Sequence, residues 1–219
     1  MIFLEFLRKK MEFMRGKTAI ILANGAFPSH DIPLGVLKSA QHIICCDGAA
    51  LKLLEFGLKP TAIIGDMDSL GEEYKRKYQD IIYHFSTQEN NDLTKAVNWC
   101  VEQKYSEVII LGATGQREDH TLGNIFLLPK YVKKIKVTMM TDHGVFTPIV
   151  RSKNFESYIR QQVSIFAVKS NTSITTANLR YAITGECLDW LWMGTLNESM
   201  GDSFRIDFEG GPLIVFQEY

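Results

Sequence analysis

The stretch HIICCDGAALKLLEFG, residues 42–57, contains the unit from which the first part of this chain is built. Its apolar run HIICC (42–46) is typical of a buried strand, and AALKLLEFG (49–57) carries apolar residues at helical spacing. A short turn containing Asp47 and Gly48 joins the two segments. A strand that leads directly into a helix favours a parallel sheet covered by helices.

The same alternation continues on both sides of this unit. Further strand-like runs occupy residues 18–23, 61–65, 81–85, 107–112 and 135–140, and helix-like stretches occupy residues 72–78, 90–105 and 119–132. After about residue 141 the pattern becomes all-β, as in 164–168, and residues 204–216 predict a hairpin around Gly210 and Gly211. We therefore predict an α/β protein: an N-terminal parallel-sheet domain covered by helices (16–141), followed by a C-terminal all-β domain (142–219).

The overall composition limits the possible partners. With 219 residues and 46% hydrophobic content, the chain can bury a sizeable core. Its 24 basic and 25 acidic residues give a net charge of −1, which predicts no broad surface for nucleic acid or membrane lipid. The four cysteines form no CxxC pair, which favours buried thiols and a cytoplasmic location. Residues 1–15 lack the pattern of a signal peptide, and we predict a disordered leader or a non-native start there.

Aspartates recur where the predicted strands end. Asp47 follows 42–46, Asp66 and Asp68 follow 61–65, Asp92 opens the next helix, and Asp119 lies after 107–112. In an open α/β sheet, ligands bind outside the carboxyl ends of the strands. We therefore expect five carboxylates at one edge of the sheet.

Each aspartate alone could be a helix cap or a turn residue. Together they favour a divalent cation, because it offsets their mutual repulsion. The i, i+2 spacing of Asp66 and Asp68 would place both side chains on one side of an extended chain. Oxygen-only ligands favour Mg²⁺ or Mn²⁺, which suggests a metal site for a polyphosphate. Lys95 and Arg117 could bind the phosphates or could be ordinary surface charges, and no GxxxxGK[ST] motif is present.

Several blocks of sequence occur in a characteristic order and spacing. They are NGAFP (24–28), CDGAA (46–50), GDMDS (65–69), QENNDLTKA (88–96), GATGQREDHTLGN (112–124) and GTLNE (194–198). Over nearly its whole length beyond the leader, the chain resembles the thiamin pyrophosphokinase family. The resemblance implies that the thiamin hydroxyl attacks the β-phosphorus of ATP, with Mg²⁺ required and AMP released. It also implies that residues 16–141 form a three-layer α/β catalytic domain and residues 142–219 a β-sandwich. A homodimer is implied as well, with an interface that helps to form the thiamin pocket.

The resemblance also implies roles for individual residues. The expected catalytic group is Asp66, Asp68, Asp92, Asp119 and Arg117. The expected metal ligands are Asp47, Asp66, Asp68 and Asp92, and the expected nucleotide contacts are Asp47, Gln88, Lys95 and Asn124. Asn197 is expected to contact thiamin. The choice of general base stays open between Asp92 and Asp119.

Some positions depart from the family pattern or allow two interpretations. Asn91 stands where the family commonly has threonine, and Leu196 stands where a serine is expected. Trp190 and Trp192 would share one side of a strand, where they could stack on thiamin or pack in a core or dimer interface. Two other functions stay open: an Mg²⁺-dependent nucleotide-processing enzyme with another acceptor, and a non-catalytic module that binds thiamin or its diphosphate.

Overall fold

A computed structural model describes residues 17–85 and 90–219 of the chain. The predicted leader and Gln88 therefore lie outside the described residues. The described residues divide into two compact units, one formed by 17–125 with 134–142 and the other by 126–133 with 143–219. The predicted domain boundary between residues 141 and 142 stays a prediction; in this grouping the chain passes to the second unit after Asp142, and residues 126–133 also belong to that unit.

The N-terminal unit contains a six-stranded sheet in the order β6-β5-β1-β2-β3-β4, with every neighbouring pair parallel. The strands are β1 (Thr18–Leu22), β2 (Ile43–Cys46), β3 (Ala62–Gly65), β4 (Ile82–His84), β5 (Glu107–Leu111) and β6 (Lys136–Met140). The helices, the last of which continues into the other unit, are α1 (Asp31–Ser39), α2 (Ala49–Glu55), α3 (Glu72–Lys77), α4 (Asp92–Glu102) and α5 (Glu118–Tyr131). Every residue of β2, β3 and β5 is buried, as expected for strands covered on both faces.

The strand order reverses direction between β1 and β5. The chain runs outward from β1 to β4 and then returns to place β5 on the other side of β1. Such a switch point leaves a crevice at the carboxyl ends of the two central strands, because the connections that follow them diverge. The fold therefore provides a binding position between the loops that follow β1 and β5.

The C-terminal unit is a sandwich of two antiparallel sheets, with strand orders β12-β9-β14-β7 and β11-β10-β13-β8. Its strands are β7 (Gly144–Ile149), β8 (Lys153–Glu156), β9 (Gln162–Ala167), β10 (Ser173–Ala177), β11 (Thr184–Cys187), β12 (Asn197–Glu198), β13 (Ser203–Glu209) and β14 (Leu213–Glu218). Alternate residues of both sheets, such as Phe204, Ile206, Leu213 and Val215, meet in one core. The α/β fold with a β-sandwich that the sequence predicted is confirmed.

The predicted hairpin at residues 204–216 is wrong. Strands β13 and β14 do follow one another, but β13 pairs with β10 and β8, whereas β14 pairs with β7 and β9. The turn at 210–212 therefore carries the chain from one sheet to the other. β13 alternates apolar and polar residues, whereas β14 begins with a continuous apolar run, and both contribute side chains to the same core. Two apolar strands joined by a glycine turn do not by themselves distinguish this arrangement from a hairpin.

Candidate active site

Three of the predicted aspartates lie together at the carboxyl edge of the parallel sheet. Asp47 follows β2, Asp66 follows β3, and Asp92 is the first residue of α4. Each offers a carboxylate oxygen, and these three oxygens lie within 4.8 Å of one another. Since the chain segments that carry them are far apart in sequence, the convergence is a product of the parallel topology.

Asp47 is held in an unusual position. Its side chain is 6% exposed and its backbone has a φ of 40°, a left-handed conformation that non-glycine residues seldom adopt. Its N–H donates to the carbonyl of Ile64 at 2.9 Å, and its Oδ2 accepts from the N–H of Ser69 at 3.2 Å. A Cβ on Gly65 would lie 3.0 Å from the Asp47 Cβ, so any side chain there would require Asp47 to shift by a few tenths of an ångström.

The other carboxylate oxygen of Asp47 is the best indication that the site binds a cation. Among the described residues, Oδ1 is buried and has no hydrogen-bond partner. Leaving a buried polar atom unsatisfied costs about 1–3 kcal/mol, and more for a charged group. A cation at the three-carboxylate group would satisfy this oxygen, and the all-oxygen donor set is the one that Mg²⁺ and Mn²⁺ prefer. The residues present therefore fit a divalent metal.

Asp68 does not belong to this group of three. The sequence argument required an extended chain, but Met67 has a φ of 64° and the chain turns between the two aspartates. As a result, the N–H of Asp68 donates to Asp66 Oδ1 at 3.3 Å, and the Asp68 side chain is exposed. The extended chain assumed for this pair is therefore wrong, although Asp66 and Asp68 both line the same cleft.

Lys95 is a buried partner of Asp92 and not a surface charge. It is 8% exposed, and its Nζ donates to Asp92 Oδ1 at 2.9 Å. Asp92 is not the helix cap, because Asn91 occupies that position and accepts from the N–H of Thr94 at 3.0 Å. Asp92 and Lys95 therefore both remain available to a ligand in the cleft, which they line.

Arg117 and Asp119 pair with each other. The Arg117 guanidinium donates from Nε (3.1 Å) and Nη2 (2.6 Å) to the two Asp119 oxygens. These bonds, together with one from the backbone N–H of His120, lower the pKa of Asp119 to about 2. A carboxylate with such a pKa is a weak proton acceptor at neutral pH. Arg117 lines the cleft and Asp119 does not, although Asp119 lies at the same edge of the sheet, in the first turn of the helix that follows β5.

Two asparagines connect opposite walls of the cleft. Since Asn91 Oδ1 accepts from a backbone N–H, its Nδ2 must face outward, where it donates to Asn124 Oδ1 at 3.3 Å. Asn124 in turn donates from Nδ2 to the carbonyl of Ala113 at 2.9 Å. Both amide orientations are thereby fixed by backbone partners. Asn124 links the start of α4 to the loop that follows β5.

The cleft has a volume of about 610 Å³ and opens at the switch point of the sheet. Besides the residues above, its lining includes several that the sequence analysis did not assign a role: Asn24, Gly25, Asn90, Thr114, Gln116, His120 and Thr121. Most of them lie in the NGAFP and GATGQREDHTLGN blocks. Their position directly after β1 and β5 was the available signal, because those strand ends border the switch point.

The residues predicted to bind thiamin lie in the C-terminal unit. Asn197 is 5% exposed, and its side chain accepts from the N–H of Tyr181 at 3.0 Å and donates to the carbonyl of Tyr181 at 2.7 Å. Trp190 and Trp192 are 68% and 72% exposed. The predicted strand is wrong here, because Leu191–Gly194 forms a 3₁₀-helix with Trp190 at its N-cap. Within this segment Leu191, Met193 and Leu196 are also exposed.

Comparisons with known proteins agree on one family. Residues 35–140 match the family model described as "Thiamin pyrophosphokinase, catalytic domain", and residues 144–216 match "Thiamin pyrophosphokinase, substrate-binding domain". The thiamine pyrophosphokinase of Bacillus subtilis is 34% identical over 131 residues, which cover 57% of this chain and 60% of that relative. Thiamin pyrophosphokinase 1 of Caenorhabditis elegans is 25% identical over 168 residues, covering 70% and 69% of the two chains.

A solved structure shows the same fold. The crystal structure of the Bacillus subtilis thiamine pyrophosphokinase superposes with a TM-score of 0.77 at 24% sequence identity, covering 92% of this chain and 99% of that one. The two family models together span most of the chain, and the resemblance noted in the sequence is confirmed. The chain belongs to the thiamin pyrophosphokinase family.

Proposed function

We propose that this chain transfers the pyrophosphoryl group of ATP to the hydroxyl of thiamin. The hydroxyl oxygen attacks the β-phosphorus, the bond from that phosphorus to the oxygen bridging it to the α-phosphorus breaks, and AMP leaves as thiamin diphosphate forms. Family membership supports this pyrophosphoryl-transfer chemistry. The observation that carries the proposal is the convergence of Asp47, Asp66 and Asp92 at the sheet's switch point, with one buried oxygen unsatisfied.

We propose that Asp47, Asp66 and Asp92 hold Mg²⁺. When bound, this ion neutralises negative charge on the polyphosphate of ATP. Asp68 lines the same cleft and can accept hydrogen bonds from metal-bound water or from the nucleotide.

The cationic side chains of the cleft have complementary parts in this proposal. Lys95 is buried beside Asp92, so its ammonium group is held at the carboxylates and can donate to a phosphate oxygen without a large loss of entropy. Arg117 is exposed at the cleft wall and paired with Asp119, whose acceptor oxygens orient its guanidinium. In phosphoryl transfer such donors act mainly by positioning and by stabilising developing charge.

Thiamin recognition is assigned to the C-terminal unit, in keeping with the substrate-binding domain that it matches. Trp190 and Trp192 present large aromatic surfaces that suit stacking on a planar heterocycle. Asn197 supports the neighbouring backbone through its two bonds to Tyr181. The exposed apolar segment 190–196 also supports a homodimer, because a contiguous apolar surface of this kind marks an interaction site.

One assay tests the proposal. Purified protein is incubated with ATP, Mg²⁺ and thiamin, and AMP and thiamin diphosphate are measured by chromatography. We expect equal amounts of both products, with Asp66→Asn nearly inactive and the exposed control Asp80→Asn close to wild type. If AMP forms only when another alcohol is supplied, that alcohol and not thiamin is the acceptor. Tight thiamin binding with no AMP at any metal concentration would reduce the protein to a binding module.

A further inference from the structure

The loop that follows β1 forms one wall of the cleft. Within this β1 loop (residues 24–26), Asn24 and Gly25 line the cavity. On one side the loop is bonded to the loop after β5, since Gly25 N–H donates to the Gly112 carbonyl at 2.6 Å and Ala26 N–H to the Thr114 carbonyl at 2.8 Å. A Cβ on Gly25 would lie 2.4 Å from the Gly112 oxygen, so the two loops are as close as their backbones allow.

A lysine holds the other side of the loop. Lys52, on α2, donates from Nζ to the carbonyl of Gly25 at 2.8 Å, and the same Nζ lies 3.5 Å from the carbonyl of Asn24. The side chain is half-buried, and burial lowers the pKa of its ammonium group. Lys52 itself is absent from the cavity lining, so it reaches the cleft only through the backbone it binds.

This arrangement bears on the electrostatics of the wall. Backbone carbonyl oxygens carry partial negative charge, and a polyphosphate placed near unpaired carbonyls is repelled. The carbonyl oxygens of Gly112 and Thr114 accept from the β1 loop, and those of Gly25 and Asn24 face the Lys52 ammonium. At Asn24 and Gly25, the wall is thus kept compatible with an anionic ligand by one side chain outside the cleft.

We propose that Lys52 is a positioning residue that acts through the β1 loop to set the affinity of the cleft for the polyphosphate of a nucleotide. The inference rests on the proposed function only in requiring that this cleft binds the nucleotide. It assigns Lys52 no contact with the reacting atoms. Replacing Lys52 should therefore lower the affinity for the nucleotide and change the rate of the chemical step much less.

The test compares Lys52→Met with Lys52→Arg and with the control Lys59→Met, which removes an exposed lysine outside the cleft. Binding of a non-hydrolysable ATP analogue with Mg²⁺, and of AMP, is measured by calorimetry without thiamin. We expect Lys52→Met to weaken binding of the ATP analogue about tenfold, which is the scale of a lost hydrogen bond to a charged group. Binding of AMP should weaken about threefold or less. Lys52→Arg should stay within about threefold of wild type because it keeps a charged donor.

Kinetics provide a second measurement. For Lys52→Met, KM for ATP should rise with kcat changed by less than about threefold, whereas a merely structural role would lower the melting temperature and leave affinity of the folded protein unchanged. If Lys52→Met does not fold, Lys52→Gln removes the charge and keeps a donor, and the same selective loss for the ATP analogue is expected.

Two results would overturn the inference: unaltered affinity in folded Lys52→Met, or equal losses for the ATP analogue and AMP. A wild-type protein that binds ATP but does not convert thiamin would refute the proposed function and leave the inference standing. A wild-type protein that binds no nucleotide would refute both.

Discussion

Replacing Asp47 by asparagine should make the metal-free protein more stable while it abolishes activity. Three carboxylate oxygens lie within 4.8 Å of one another, and without a cation the Lys95 ammonium at Asp92 offsets only part of their charge. At that separation and an effective dielectric of about 20, each pair repels by about 3.5 kcal/mol. Asp47→Asn removes two of the three repulsions. Its amide oxygen can still accept from the N–H of Ser69, and its new N–H₂ can face Asp66 and Asp92.

Solvent reduces the gain, because Asp66 and Asp92 are only partly buried. We therefore expect about 2 kcal/mol of added stability, which corresponds to roughly 4–8 °C in melting temperature for a chain of this size. The gain should be confined to metal-free conditions. In wild type, a bound cation offsets the same repulsion, and mass action adds further stability that the variant cannot obtain.

The assay is thermal unfolding in EDTA and in Mg²⁺ with ATP, alongside turnover. Wild type should melt higher with Mg²⁺ and ATP, and Asp47→Asn should melt higher than wild type in EDTA but respond little to the ligands. Asp80→Asn removes an exposed carboxylate from the same unit and should behave as wild type in both buffers. An Asp47→Asn protein that is less stable in EDTA, or that keeps its metal response and turnover, would refute the reasoning.

Three further predictions concern other parts of the molecule. Asn91→Thr keeps a side-chain oxygen that caps α4 but loses the amide that donates to Asn124. The Mg²⁺ concentration for half-maximal activity should therefore rise about two- to fivefold. Adding Asn124→Ala to this variant should cause no further change. Although partial burial raises the pKa of Asp142, hydrogen bonds from Ser29 and from the His30 N–H outweigh it and leave that pKa lowered. The Asp142 contribution to stability is therefore present above about pH 4 and is lost as the pH falls through the lowered value, so denaturant melts should show a flatter acid limb for Asp142→Asn. Trp192→Ala should leave the melting temperature nearly unchanged, because the side chain is 72% exposed, but should raise KM for thiamin in steady-state kinetics; an unchanged KM would remove this residue from the substrate site.

Much of the fold could be predicted because its signals are local. The strand-like runs of the N-terminal half all appear as strands within a residue or two, since continuous apolar runs bounded by turns have few alternatives. Helix α1 was not predicted, because Pro33 and Gly35 interrupt it and both disfavour helix interiors. Pro33 is accommodated because it lies in the first turn, where its missing N–H has no intrahelical partner.

The site was predicted in outline but not in its geometry. The end of each strand indicated where Asp47 and Asp66 would lie, because parallel strands share a carboxyl edge. The left-handed backbone of Met67, which turns the chain between Asp66 and Asp68, has no sequence signal, because methionine usually avoids that conformation. The pairing of Asp119 with Arg117 was equally hidden, because both residues are drawn from the same short motif and either partner could have faced the cleft.

Within residues 17–85 and 90–219, no helix combines the length and apolar character that a membrane crossing requires.

Three of the four cysteines, Cys45, Cys46 and Cys100, are buried and free, as expected, whereas Cys187 is exposed. The cytoplasmic location stays a prediction.

The most direct measurement is an anomalous-scattering map of crystals grown with Mn²⁺ and a non-hydrolysable ATP analogue. Our account predicts a peak bounded by carboxylate oxygens of Asp47, Asp66 and Asp92, at ligand distances of about 2.1 Å, with the phosphates beside it. A metal peak elsewhere in the molecule, with these three side chains unliganded while the nucleotide is bound, would contradict it.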